Sequence, residues 1–260
     1  MIWFLCFWLA VIGAAAGSFI DCAVSRWAAG EKWHTGRSRC VACGHTLGAG
    51  ELIPVISWLI RRGKCRWCGA SIPPECLAAE LAGAAGFACL APLGIEWASG
   101  NPVGFDPALG QWVIFAGLLL ALSLADAARR ILPDRLLLAL GINRLAWFLL
   151  LREPVWETGR AVLLSAVIPA VLLGLVLLAE KLLKREVMGG GDIKLLFALA
   201  LYLAWAELLL ALLAGCLLGL AWAAVRGKKD AIPFGPFLAA GAVLSAAFGG
   251  PVVEWYLGLL

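Results

Sequence analysis

Long stretches of almost unbroken apolar residues alternate with short polar segments. The apolar runs cover about 2–20, 77–95, 111–126, 135–151, 161–180, 192–206, 208–225 and 235–259. A helix rising 1.5 Å per residue needs about 20 residues to cross a bilayer. The pattern therefore predicts an all-α polytopic membrane protein of about eight transmembrane helices. The sixth run looks short for a full crossing, and only Glu207 marks a turn before the seventh, so one long hairpin over 192–225 is the alternative there. The first run contains the small residues Ala14-Ala15-Ala16-Gly17 but has no Lys or Arg before Arg26. It lacks the basic n-region of a cleavable signal and reads as a retained transmembrane helix.

Composition supports this picture. The chain is 63% hydrophobic and 15% charged, against about 25% charged in ordinary soluble domains, which excludes a soluble enzyme as the first reading. A net charge of +4 is too small to imply a nucleic-acid partner, so the placement of the bases matters more than their number. Arg26, Lys32, Arg37, Arg39, Arg61, Arg62, Lys64 and Arg66 crowd the polar stretch between the first two runs. Further basic loops follow at 127–134, 181–191 and 226–230, alternating with loops poor in base apart from Arg152 and Arg160. By the positive-inside rule the N-terminus lies outside and the basic stretch lies in the cytoplasm. The expected division is a first transmembrane helix within 1–25, a cytoplasmic zinc-binding loop domain over 26–76, and a transmembrane core over 77–260.

The basic stretch also carries Cys40-Val41-Ala42-Cys43 and Cys65-Arg66-Trp67-Cys68. Two such pairs supply the tetrahedral four-sulfur set of a structural zinc, and Gly44 and Gly69 follow each pair where a knuckle turns tightly. A disulfide reading is disfavoured in the cytoplasm. His34 and His45 read as bystanders. Cys6, Cys22, Cys76, Cys89 and Cys216 sit in or beside apolar runs and read as small hydrophobes.

Two acids stand at the edges of apolar runs, where a charge is costly and hence a functional candidate. Asp126 closes the third run, and Asp192 opens the sixth after Gly189-Gly190-Gly191. The charge-derived topology puts both at cytoplasmic ends and at matched depth. Paired carboxylates share a proton, so one can act as base on a water while the other polarises a scissile carbonyl. The glycines would let an extended peptide come close. For either acid alone an ion pair remains open: Asp126 with Arg129 or Arg130, Asp192 with Lys194. Asp134 reads as an N-cap or interfacial acid after Pro133. Arg144, inside the fourth run, must snorkel, pair or face a polar cavity.

Taken in order, these residues resemble the bacterial type IV prepilin peptidases, membrane aspartic proteases with a Gly-x-Gly-Asp motif. The resemblance covers nearly the whole chain. It rests on Gly17-Ser18-Phe19, the four cysteines, Ile53-Pro54, Ser57-Trp58-Leu59 and Glu80. It continues through Asp126 with Leu132-Pro133-Asp134, Glu186 with Gly189-Gly190-Gly191-Asp192-Ile193-Lys194, and Ile232-Pro233-Phe234-Gly235-Pro236. Departures are Ile20-Asp21, where many members of that family carry Asn, and Val41, where Pro is usual.

The resemblance implies an inner-membrane enzyme that cuts the leader from prepilins or pseudopilins after a glycine. It further implies N-methylation of the new terminus with S-adenosylmethionine, whose binding residues stay unassigned. On that analogy Asp126 and Asp192 are the protease pair, supported by Glu186, Gly189, Gly191 and Lys194. Asp21, Glu51, Glu75, Glu80 and Glu186 could attract a basic leader. The expected partners are that substrate and membrane lipid, without nucleic acid. The competing reading is an ion- or proton-coupled transporter using the Asp pair, which would need more polar groups at mid-depth than these runs offer.

Overall fold

The computed structural model describes residues 1–32, 36–98, 101–184, 188–226 and 233–259, with the side chains of 96–98, 101–103 and 105 also left aside. Among these residues, helices occupy all eight apolar runs: α1 (Ile2–Ala28), α3 (Pro74–Cys89), α4 (Leu109–Arg129), α5 (Asp134–Leu151), α6 (Val155–Leu183), α7 (Gly190–Leu199), α8 (Trp205–Arg226) and α9 (Gly235–Leu257). A short α2 (Ile56–Ile60) lies in the cysteine-bearing stretch.

Five of them, α1, α4, α6, α8 and α9, are long and apolar enough to cross a membrane. The expected eight crossings are not all met. α3 has 16 residues, α5 includes Asp134, Arg135 and Arg144 in its 18, and α7 has only 10. Ten residues rise about 15 Å, half of a hydrocarbon core. The all-α expectation also needs one correction: β1 (Ile95–Ala98) and β2 (Asn101–Phe105) form an antiparallel hairpin in the loop between α3 and α4. The Asp106 N–H donates to the Gly94 carbonyl at 3.1 Å and closes its base.

α4 is the central helix. Its Phe115, Leu119 and Leu122 are fully buried, sharing one core with Leu195, Leu196 and Leu199 of α7 and Leu238 of α9. Two helix pairs approach more closely than side chains would allow. A β-carbon on Gly13 of α1 would lie 2.2 Å from the Gly83 carbonyl oxygen of α3, and one on Gly241 of α9 would lie 2.3 Å from that of Ala211 in α8. Small residues at such crossings let backbones pack where lipid offers no hydrophobic drive to associate.

α7 ends early without a glycine or proline to stop it, and the backbone groups freed by the break find partners within the chain. Arg144 Nε donates to the Leu201 carbonyl at 2.9 Å and Ser165 Oγ to that of Leu203 at 2.9 Å. The Glu207 carboxylate accepts from the Ala204 N–H at 3.0 Å, starting α8. The Tyr202 hydroxyl donates to the Leu140 carbonyl at 2.6 Å and accepts from Asn143 Nδ2 at 2.9 Å. These bonds hold the α7–α8 break against α5 and α6.

Candidate active site and cysteine cluster

Asp126 lies in the last turn of α4. The helix stops four residues later because Arg130 adopts a left-handed conformation, φ 55°, and returns its N–H to the Asp126 carbonyl at 2.7 Å. With its backbone used in this cap, the side chain turns inward and is 7% exposed. Its Oδ2 accepts the N–H of Gly235, first residue of α9, at 2.9 Å. Gly235 comes close because it has no side chain; a β-carbon there would sit 2.8 Å from the same oxygen.

Asp192 stands in the first turn of α7, its N–H bonded to the Gly189 carbonyl at 3.0 Å. The structure brings it within electrostatic reach of Asp126. Of the bases open to each acid, Arg130 stands within electrostatic reach of Asp126, while Arg129 and Lys194 bond elsewhere. Arg129 donates to the Ala28 carbonyl and lies over the Trp27 ring, 5.0 Å from its centroid. Lys194 pairs with Asp134 at 2.8 Å, not with Asp192. Asp134 is not the N-cap, which is Pro133; it is the first residue of α5 and ties that helix to α7.

The three glycines differ in their surroundings. A β-carbon on Gly189 would be 3.4 Å from Asp192 Oδ2, one on Gly191 would press on the Leu132 side chain at 3.2 Å, and one on Gly190 would meet nothing within 4 Å. Gly190 thus faces open space beside the carboxylates. Glu186 and His34, together with Arg185, Lys228, Lys229 and Ile232, lie outside the described residues.

The Arg129 to Ala28 bond joins the C-terminal ends of α4 and α1, so the carboxylates stand at the end of the bundle from which the cysteine module emerges. There the sulfurs of Cys40, Cys43, Cys65 and Cys68 lie within 4.8 Å of one another. Each pair sits in the same turn. The Cys40 N–H donates to the His45 carbonyl and the Gly44 N–H returns to that of Cys40, both at 2.9 Å; Cys65, Ala70 and Gly69 repeat this at 2.8 and 3.0 Å. Gly44 and Gly69 have φ of +71° and +73°, the conformation expected of them. Backbone N–H groups of Cys43 and Ala42 bring the Cys40 thiol down to about 7. The cluster can hold a metal ion. Tetrahedral zinc at about 2.3 Å from each sulfur needs sulfurs about 3.8 Å apart, and Cys40 and Cys68 are separated by 3.8 Å. His45 is outside the set, its ring 4.3 Å from that of Trp67.

Arg144, unassigned from sequence, pairs with both carboxylate oxygens of Glu153 at 2.7 and 2.6 Å and lines a cleft of about 410 Å³ with Glu157, Thr158, Tyr202 and Glu207. Two of the acids considered for leader recognition are already engaged. Glu51 accepts from the Gly48 N–H and pairs with Arg61, and Glu80 accepts from the Val55 N–H at 2.6 Å. Gly235 was visible only as part of a late motif; nothing in the sequence signals that its N–H serves Asp126.

The chain is similar to known proteins over most of its length. The family model for the bacterial peptidase A24 N-terminal domain matches residues 11–92, and that for the type IV leader peptidase family matches 113–224. A prepilin leader peptidase/N-methyltransferase of Burkholderia pseudomallei (strain 1026b) is 37% identical over 256 residues, covering 94% of this chain and 77% of the relative. Proteins of the same description from Dichelobacter nodosus and Bacillus subtilis (strain 168) are 36% and 32% identical, covering 84% and 85% of this chain and 73% and 85% of theirs. No solved structure matches the chain.

Proposed function

This chain belongs to the type IV leader peptidase family and is an enzyme, and on that premise we propose that it cleaves prepilins or pseudopilins by an aspartic mechanism using Asp126 and Asp192. The observation that supports this reading is that carboxylates from α4 and α7 stand within electrostatic reach of each other at one end of the bundle, while Arg129 and Lys194 bond elsewhere. Two such acids share a proton. The ionised member takes a proton from a water as it attacks the scissile carbonyl, while the protonated member donates a hydrogen bond to the carbonyl oxygen. The Gly235 N–H holds Asp126 in one orientation, and the open face at Gly190 gives an extended peptide room beside Asp192.

In this reading the chain divides into a first transmembrane segment over 1–25, which takes in all but the last residues of α1, a zinc module over 26–76, and a peptidase core over 77–260. The cysteine module and both acids face the cytoplasm, where the scissile bond after the leader's glycine arrives at the membrane interface. Glu186, Gly189, Gly191 and Lys194 support the pair, Lys194 by tying α7 to α5 through Asp134. Cys40, Cys43, Cys65 and Cys68 hold zinc, and four thiolates leave it no open position, so its role is structural. Methylation of the new N-terminus with S-adenosylmethionine comes from the relatives' names, and no residue is assigned to the donor.

The test is incubation of a detergent-solubilised prepilin with the wild-type chain, Asp126→Asn and Asp192→Asn, with mass spectrometry of the product. The expected result is a cut after the leader glycine by the wild type alone, and a gain of one methylene when S-adenosylmethionine is present. Cleavage by either variant at the wild-type rate overturns the aspartic mechanism. An unmethylated product overturns the methyl transfer but not the cleavage.

A further inference from the structure

The cysteine module carries an apolar face that its own fold leaves uncovered. In α2, Ile56, Leu59 and Ile60 are 54%, 57% and 76% exposed, at the spacing that places them on one side of a helix. Leu52 and Ile53 before it, and Trp67 after it, are exposed too. Arg62, Lys64 and Arg66, which follow α2 directly in the chain, are all exposed, Arg66 over the Trp67 ring.

The attachment of α2 fixes where this face lies. Val55, directly before α2, donates its N–H to Glu80 Oε2 at 2.6 Å. Glu80 belongs to the second turn of α3, and its Cα lies 3.0 Å from where a β-carbon on Gly17 would be. Gly17 is still within the apolar run of α1, a membrane-crossing helix. The module is therefore pinned against α1 only three residues before its apolar run ends at about 20. The pinning is specific: Val55 has φ 62° and ψ −55°, and the Ile56 N–H reaches the Pro54 carbonyl at 2.6 Å, a γ-turn a β-branched residue adopts only under constraint.

We propose that α2 and its flanking apolar residues form an interfacial element lying in the membrane leaflet beside α1 and α3. Ile56, Leu59 and Ile60 enter the acyl boundary, and Arg62, Lys64 and Arg66 meet anionic headgroups. An apolar face with bases at its rim suits an anionic lipid surface in both respects. This docking holds the cysteine module against the bilayer, and it stands independently of the peptidase mechanism.

The test places a photo-crosslinking side chain in the full-length chain, reconstituted in nanodiscs of phosphatidylethanolamine and phosphatidylglycerol. Ile60→p-benzoylphenylalanine probes the face, and Leu163→p-benzoylphenylalanine, at a 72% exposed position on the membrane-crossing helix α6, sets the yield for lipid contact. Mass spectrometry after illumination reads the adducts, with and without added prepilin. The expected result is lipid adducts at Ile60 within tenfold of the Leu163 yield, unchanged by prepilin. A yield below a tenth of that at Leu163, or capture of prepilin in place of lipid, overturns the proposal. Both positions are exposed, so neither substitution disturbs the core.

Discussion

Replacing Gly235 with Ala tests whether Asp126 is held where the chemistry needs it. The added carbon would lie 2.8 Å from Asp126 Oδ2 and 3.2 Å from its Cβ and Cγ. The carboxylate must retreat by roughly 0.6 Å to restore ordinary contact. It has little slack, since it is 7% exposed and lies between α4 and α9. A misplacement of about 1 Å can cost about 100-fold in rate, so Gly235→Ala should lower kcat by roughly ten- to a hundredfold, with KM little changed. Gly235 is the first residue of α9, so the helix beyond it does not depend on the substitution, and a loss at unchanged Tm is not melting of α9. The assay is steady-state cleavage of a detergent-solubilised prepilin, with Tm recorded on the same preparations. A kcat within twofold of wild type at equal Tm would refute the assignment of Gly235 as the residue that positions Asp126. Gly190→Ala is the complement: its carbon meets nothing within 4 Å, so Tm should hold while cleavage falls through obstruction of the peptide, and full activity would remove the substrate-approach argument.

Zinc measured by mass spectrometry should stand at about one ion per chain and be lost in Cys65→Ser, with residues 26–76 becoming protease-sensitive; metal-free wild type with an intact module would contradict this. Arg144→Met removes both guanidinium hydrogen bonds to the Glu153 carboxylate, which keeps the Thr158 hydroxyl at 3.2 Å, and the side-chain donor to the Leu201 carbonyl, and thermal unfolding should show a loss of about 1–3 kcal/mol. The hydrogen bonds from Arg144 hold the Glu153 carboxyl below its ordinary value of 4.5. A depressed pKa adds stability above that ordinary value that disappears as pH falls through the folded one. Wild-type Tm should therefore drop more steeply below about pH 4.5 than that of Glu153→Gln, and parallel curves would refute the pairing.

The parts of the fold legible in the sequence are those set by local chemistry. Apolar runs mark where the eight helices lie, five of them long and apolar enough to cross a bilayer, and the two Cys-x2-Cys pairs announce their cluster because a four-sulfur set needs that spacing. The end of α7 was not legible. Ala200-Leu201-Tyr202-Leu203 contains no breaker, and the helix stops where Arg144, Ser165 and Glu207 satisfy the freed backbone from elsewhere in the chain. The hairpin at 95–105 was hidden in a loop flanked by a run that reads as helix. The two acids proposed for the site stand out from the cost of charge at a span edge. What the acids bind does not, because Asp126 is oriented by a backbone N–H, which every residue but proline possesses. Lys194 shows the same limit: proximity in sequence suggested Asp192, and the fold gave it Asp134.

The most direct test of the paired-carboxylate account is the cleavage rate of Asp126→Asn, Asp192→Asn and the doubly substituted chain, side by side on one prepilin. Residues that act as one unit are not additive. The account predicts that all three fall to the same residual rate. A double variant slower than either single by the product of their separate losses, or a single variant that still cuts at the wild-type rate, would contradict it.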